Sequence, residues 1–323
     1  MLSAEDDALP VVRAADLDEG KPDHNWLVER LWARVAVGVL GGAPKCCKSW
    51  LALDLAISVA SNTPCLGAFS IHDAGPVLLY MAEDAAPIVK ARLSGLCLSR
   101  QIALASVPIH VITAPALRLD RERDQLRLRD AVRRYAPRLL VLDPFVRLHR
   151  IDENDAGEVS ALLGYLRTLQ REFDVAVLVV HHARKTGAAG SQAGLSLRGS
   201  GDFHAWGDSN LYIRRQKDAF ALTIEHRAAQ APDPLRVRLV PGDDAHLALV
   251  DLDTEPDTTS ESPCLDPLLL DAITSADGPC SRTHLRALLR VRNERLGDAL
   301  VRLAARGLVI RVGDRWAVPV PTP

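Results

Sequence analysis

An α/β fold, with a mainly parallel twisted sheet flanked by helices and a small second domain at the C-terminus, is the class this chain predicts. Three observations predict it. Apolar runs of four to six residues alternate with helix-length stretches from Trp26 to about Asp251. Those runs are apolar on both faces, as strands covered by helices are. A polar, acidic segment without aliphatic residues, Asp253 to Pro263 in the linker 253–264, then separates this region from a more basic end.

The first twenty residues are acidic and aperiodic and read as a flexible leader. In the main domain, 21–252, the spacing predicts strands at Val35 to Leu40, Pro76 to Met81, Val107 to Ile112, Arg138 to Leu142 and Val175 to Val180. Helices are predicted between them at Ser49 to Ala60, Ala86 to Leu98, Arg121 to Tyr135 and Ala156 to Phe173. Shorter strands at Ser209 to Arg214, Ala219 to Glu225, Leu235 to Leu239 and His246 to Val250, joined by turn residues, predict an antiparallel extension. Beyond the linker, residues 265–323 predict three helices: Asp266 to Thr274, one capped by Ser281, and Arg292 to Arg306 stopped by Gly307. A hairpin follows around Val312-Gly313-Asp314. Three short helices closed by a hairpin resemble a winged-helix domain.

The bulk numbers narrow the class further. With 48% apolar residues the chain can fill a sizeable core. No run approaches the roughly twenty apolar residues of a membrane helix, and the acidic start is unlike a signal peptide, so a cytoplasmic protein without a membrane partner is predicted. Six cysteines without a C-x-x-C pair suggest neither a disulfide framework nor a zinc site. A net charge of −2 gives no support for nucleic-acid binding by the whole chain. From Leu265 onward, however, nine arginines stand against six acids. Arg292 and Arg295 on the third helix are candidate DNA contacts; an oligomerisation or protein-docking face is the plainer use of the same helix.

Chemistry concentrates in Gly42-Ala43-Pro44-Lys45-Cys46-Cys47-Lys48-Ser49, which follows a strand and opens a helix beginning Trp50. This is the pattern G-x-x-x-x-G-K-[ST] with Cys47 in place of its second glycine. Backbone N–H groups of such a loop and the helix N-terminus surround a β-phosphate, the lysine reaches the β- and γ-phosphates, and the hydroxyl ligates Mg²⁺. ATP and Mg²⁺ are therefore the predicted cofactors, held by Gly42 to Trp50. The second glycine usually occupies backbone space that a Cβ disfavours, so Cys47 predicts local strain of about 1–3 kcal/mol.

Other strand ends supply partners. Asp143 terminates a buried run and suits the second magnesium-organising acid, with Ser49. Glu83, with Asp84 as the alternative, ends another and suits the group that deprotonates an attacking water. His181 and His182 end a third; adjacent strand residues face opposite ways, which disfavours metal binding and suits a γ-phosphate sensor or a structural histidine. The following segment, 187–201, holds five glycines and three serines. It ends in Leu197-Arg198-Gly199-Ser200-Gly201, and a later strand runs into Arg214-Arg215.

The order of these motifs resembles the RecA-like ATPases, and within them the RepA-like hexameric replicative helicases of plasmids and phages, of the AAA_25 type. The resemblance covers about Trp26 to Lys217. It implies nucleotide binding by Lys48 and Ser49, catalysis by Glu83, a second acid at Asp143, and His182 rather than His181 as sensor. It also implies an arginine finger at Arg215, with Arg214 and Arg198 as competitors, reaching a neighbouring subunit's γ-phosphate in a ring, a hexamer, or a filament. The loop after the sensor strand would line a channel for single-stranded DNA, offering Arg184, Lys185 and Arg198. An ATP-driven motor of a plasmid, phage or mobile element is the function implied. A non-motor ATP switch or loader, recruiting duplex DNA or protein through the winged helix, is the alternative, and a DNA-binding regulator with a vestigial ATPase domain is the third reading.

Overall fold

Two tryptophans mark a short hairpin: β1 (Trp26–Val28) and β2 (Trp32–Ala33) pair antiparallel, with Leu27, Val28, Leu31 and Trp32 buried. Strands this short carry no readable period, and the sequence did not predict them. The structure, a computed structural model, describes residues 11–16, 25–153, 155–182, 200–250, 265–276, 278–289, 296–297, 299–300, 303–304, 306–313 and 315–319. The expected leader and linker therefore fall largely outside the described residues.

Next come β3 (Val37–Gly42), α1 (Lys48–Ser61), β4 (Val77–Met81), α2 (Ala86–Ser99), β5 (Ile109–Val111), α3 (Glu122–Tyr135), β6 (Leu139–Asp143), α4 (Ala156–Phe173) and β7 (Ala176–His182). They are followed by α5 (Ser200–Trp206), β8 (Ser209–Gln216), β9 (Ala219–His226), β10 (Leu235–Val240) and β11 (His246–Leu249). Helix α4 begins where expected because Asp155 caps it, accepting from the N–H groups of Gly157 and Glu158. Strand β3 starts two residues later than the apolar run suggests. Val35 has φ 51 and leaves the extended region, so the strand cannot begin there. Helix α5 grows from the end of the glycine-rich segment, where no helix was expected.

One nine-stranded sheet has the order β11-β10-β9-β8-β3-β7-β6-β4-β5. Strands β5 to β8 in that order run parallel, and β9 to β11 extend the sheet antiparallel from β8. Both faces are covered, so successive strand residues enter opposite cores. Leu139 and Val141 join the core under α1 and α2 with Leu51, Leu55 and Leu96. Leu140 and Leu142 join the one under α3 and α4 with Leu128, Leu162 and Leu166. Each such buried side chain contributes about 1.5–3 kcal/mol. Close approach of β8 to β3 depends on glycine: a Cβ on Gly38 would stand 1.7 Å from the carbonyl oxygen of Ser209, and one on Gly42 2.3 Å from that of Ile213.

The chain divides into two compact units, 1–252 and 253–323. The second contains α6 (Leu265–Thr274), β12 (Cys280–Ser281), α7 (Arg282–Leu289), β13 (Ile310–Val312) and β14 (Arg315–Ala317). Its sheet order is β12-β14-β13, and Leu269, Ile273, Leu285, Leu300, Leu303 and Val309 form its core. The Ser281 hydroxyl caps α7, accepting from His284 N at 3.1 Å. The described positions between 296 and 304 are helical. Arg292 and Arg295, the candidate DNA contacts of this unit, lie outside the described residues.

Candidate active site

Sheet register brings the candidate residues to one edge. Gly42 at the end of β3 pairs with His182 at the end of β7, and Asp143 at the end of β6 pairs with Met81 at the end of β4, two residues before Glu83. Since β7 lies between β3 and β6, the acid of β6 stands one strand away from the phosphate loop and leaves space in front of β7. Ligands of open α/β sheets bind outside such carboxyl ends. Here a cleft of about 310 Å³ is lined by Lys45 to Trp50, Met81, Glu83, Asp84, Arg92, Asp143 and His182.

The loop has the conformation that a phosphate cradle requires. Cys47 has φ 59 and ψ 22, the left-handed region, immediately before α1, and Lys45 has φ 62. Cys47 thus occupies glycine-like backbone space, as its place in the motif predicts, at a cost of about 1–2 kcal/mol for a residue with a Cβ. Its thiol pKa is raised by burial, with Arg215 acting in the opposite direction. The ammonium group of Lys48, 5% exposed, donates to the carbonyls of Gly42 at 3.0 Å and Ala43 at 2.8 Å. Burial depresses its pKa.

Asp143 is 6% exposed, and burial lifts its pKa to about 6 despite a hydrogen bond from Ser49 and the nearby Lys48 charge. Its Oδ2 has no hydrogen-bond partner. An orphaned carboxylate oxygen beside the Ser49 hydroxyl fits a hydrated Mg²⁺, which usually binds through one or two protein oxygens, waters and substrate phosphates. Among the described residues no cage of three or more His, Cys, Asp or Glu exists. ATP fits as well: the loop carries an ammonium group and a helix N-terminus, and its cleft opens toward Glu83.

Glu83 is held by a neighbouring guanidinium. It accepts from Arg147 Nε at 3.0 Å, and the two side chains are 45% and 58% exposed. Asp84, the alternative, is engaged in a short ion pair with Arg92, whose guanidinium lies 5.6 Å over the Trp50 ring. The sequence reading missed Arg92 and Arg147 because neither belongs to a spaced motif; both reach the site from a neighbouring element through folding alone.

The two histidines separate as strand alternation requires. His182 lines the cleft, its pKa lowered by burial and then by Lys48, which favours a neutral imidazole. His181 is 2% exposed and faces the other way, 4.3 Å from the Phe203 ring. Glu153 places one oxygen 3.6 Å from His181 and the other 3.6 Å from His149, tying β7 to the segment after β6. Arg215 leaves the end of β8, donates to the Lys45 carbonyl at 3.2 Å and covers Phe220 at 4.8 Å. It therefore rests on its own phosphate loop in the single chain, while Arg214 occupies the opposite face of β8. Arg184, Lys185 and Arg198 lie outside the described residues.

Residues 4–188 match the AAA domain family AAA_25, more than half of the chain, and the protein belongs to that family. No curated protein matches the chain. Among solved structures it is similar to a DnaB-like replicative helicase, studied for its interactions with primase, at TM-score 0.54 and 15% identity. That alignment covers 68% of this chain and 58% of the helicase chain, so this chain spans little more than half of that protein. It is also similar to the RadB recombinase at TM-score 0.50 and 15% identity, over 68% of this chain and 92% of that one. At such identities the likeness concerns the fold, which is the RecA-like α/β architecture. In the described residues no helix is long and apolar enough to cross a membrane.

Proposed function

We propose that this protein is an ATP-hydrolysing, DNA-associated motor that works as a ring, hexameric by the family resemblance, in a plasmid, phage or mobile element. The observation that carries the reading is the convergence of Lys48, Ser49, Glu83, Asp143 and His182 on one cleft at the carboxyl edge of the sheet. Bound ATP with Mg²⁺ supplies the phosphoryl group and the charge neutralisation on which hydrolysis depends. Lys48 exchanges its two loop carbonyls for phosphate oxygens. Ser49 and Asp143 orient the metal's water shell. Glu83 accepts a proton from the attacking water, and neutral His182 hydrogen-bonds at the γ-phosphate and relays its loss to the end of β7. Arg215 of a neighbouring subunit completes the site. Arg184, Lys185 and Arg198 contact single-stranded DNA, and residues 265–323, read as a winged helix behind the 253–264 linker, dock duplex DNA or a protein.

A second reading, an ATP switch or loader without motor activity, is favoured by Cys47, since a strained loop carrying a side chain beside the phosphates suits slow turnover. Steady-state ATP hydrolysis with and without single-stranded DNA separates the two. The motor predicts strong DNA stimulation, and Lys48→Ala lowers turnover at least about 100-fold, the scale on which a transition-state charge contact acts. Slow, DNA-indifferent turnover that still depends on Lys48 would select the switch.

A further inference from the structure

Beside the nucleotide cleft lies a second, polar cleft of about 330 Å³, whose lining includes Tyr80, Glu83, Pro115, Ala116, Arg118 and Arg147. The two clefts share one side chain, Glu83. Arg147 holds it on the far side through Nε, at 3.0 Å from Oε1. Arg118 in turn supports the turn that carries Arg147, donating from Nη1 to the Arg147 carbonyl at 2.6 Å and to the His149 carbonyl at 3.1 Å.

We infer that Arg147 is a latch on Glu83, and that the cleft it shares with Arg118 seats a backbone phosphate of single-stranded DNA, whose arrival releases Glu83 to the nucleotide side. This rests on the reading of Glu83 as the group that activates water. Charge complementarity selects the occupant. As described, one carboxylate and two guanidiniums line the cleft; once Glu83 turns toward the nucleotide, two guanidiniums remain with no lining carboxylate. That is the chemistry of a phosphodiester contact, with the forked donors of arginine matching phosphate oxygens. The exchange is feasible because the pair is exposed, 45% and 58% at its two side chains. An exposed ion pair biases an equilibrium by no more than about fivefold, so a phosphate competes with it readily. Arg147 acts through Glu83 and is a positioning residue rather than a catalytic one.

The test measures ATP turnover by the full chain with and without an oligothymidylate, comparing wild type, Arg147→Ala and Arg147→Lys, with Glu83→Gln as the floor. Arg147→Ala is expected to raise DNA-free turnover about two- to fivefold and to lower the DNA stimulation factor by the same ratio. Arg147→Lys, which keeps a single-point pair, falls between. DNA-free turnover in Arg147→Ala at or below the wild-type value, with ATP binding intact, overturns the latch. That outcome includes the case in which both stay at the Glu83→Gln floor. A raised DNA-free rate with an unchanged stimulation factor overturns phosphate as the occupant and leaves the latch standing. Binding of a fluorescent ATP analogue, lost in Lys48→Ala, is read in parallel. If it is present while the latch fails, the nucleotide-site reading survives alone; if wild type does not bind, that reading fails and the latch with it.

Discussion

Asp143 shows how a buried carboxylate loads the folded state. Burial holds its pKa at about 6, against the usual 3.8. Between those values the native state binds the proton more tightly than the unfolded chain, so stability falls as pH rises from about 4 to 6, and the full cost persists above that window. A shift of this size corresponds to about 3 kcal/mol. Replacing Asp143 with Asn is therefore expected to raise the thermal unfolding temperature of the nucleotide-free protein at pH 8, to give little gain at pH 4, and to abolish hydrolysis. Calorimetry at the two pH values checks this; a variant that melts lower than wild type at pH 8 would contradict the assigned electrostatics. The placement of a buried carboxylate at the end of β6 was legible in the sequence, because the apolar run there ends in Asp143. The left-handed conformation of Cys47 was legible for the same reason: the motif reserves that backbone geometry for its second glycine. Arg92 and Arg147 were not legible, since their roles come from side chains meeting across elements, which spacing along the chain does not encode.

At the scale of elements, the pairing of β3 with β8 decides where the site ends. Gly38 has no room for a methyl group, the Ser209 carbonyl oxygen standing 1.7 Å from where its Cβ would lie. Gly38→Ala is expected to push β8 away from β3 and to destabilise the protein by about 3 kcal/mol, the upper range for overpacking. It should also weaken ATP binding by moving Arg215 off the Lys45 carbonyl, a contact of 3.2 Å. Denaturant unfolding and nucleotide titration of the same sample check both parts, and a variant of wild-type stability would show that the strands yield at no cost. The sequence made the strands visible through their doubly apolar runs and α4 through the helix-length stretch between two of them. It did not reveal the β1–β2 hairpin, too short for a period, nor α5, whose first turn is written in glycine and serine and is fixed by Phe203 packing against Phe145 at 4.9 Å. The late start of β3 was hidden too, because a positive φ at Val35 contradicts the extended preference of a β-branched residue.

For the whole molecule the open choice is whether catalysis belongs to one chain or to a pair. Arg215 donates to the Lys45 carbonyl of its own loop, so a single subunit already places a guanidinium at the edge of the nucleotide cleft. In the proposed ring that contact is given up, and Arg215 reaches the neighbour's γ-phosphate, where a trans arginine contributes roughly 10³–10⁵ in rate. Mixing two inactive variants discriminates between these arrangements. A Lys48→Ala subunit retains Arg215, and an Arg215→Ala subunit retains its phosphate loop, so an interface of the right order joins an intact loop to an intact finger. Mixed samples are expected to recover ATP turnover that neither variant shows alone, with the largest recovery near equal proportions, because productive neighbours are then most frequent. If the arginine acts on its own loop, neither kind of subunit ever holds a complete site, and every mixture stays inactive. Recovery that follows protein concentration as the ring dissociates would tie the activity to assembly itself.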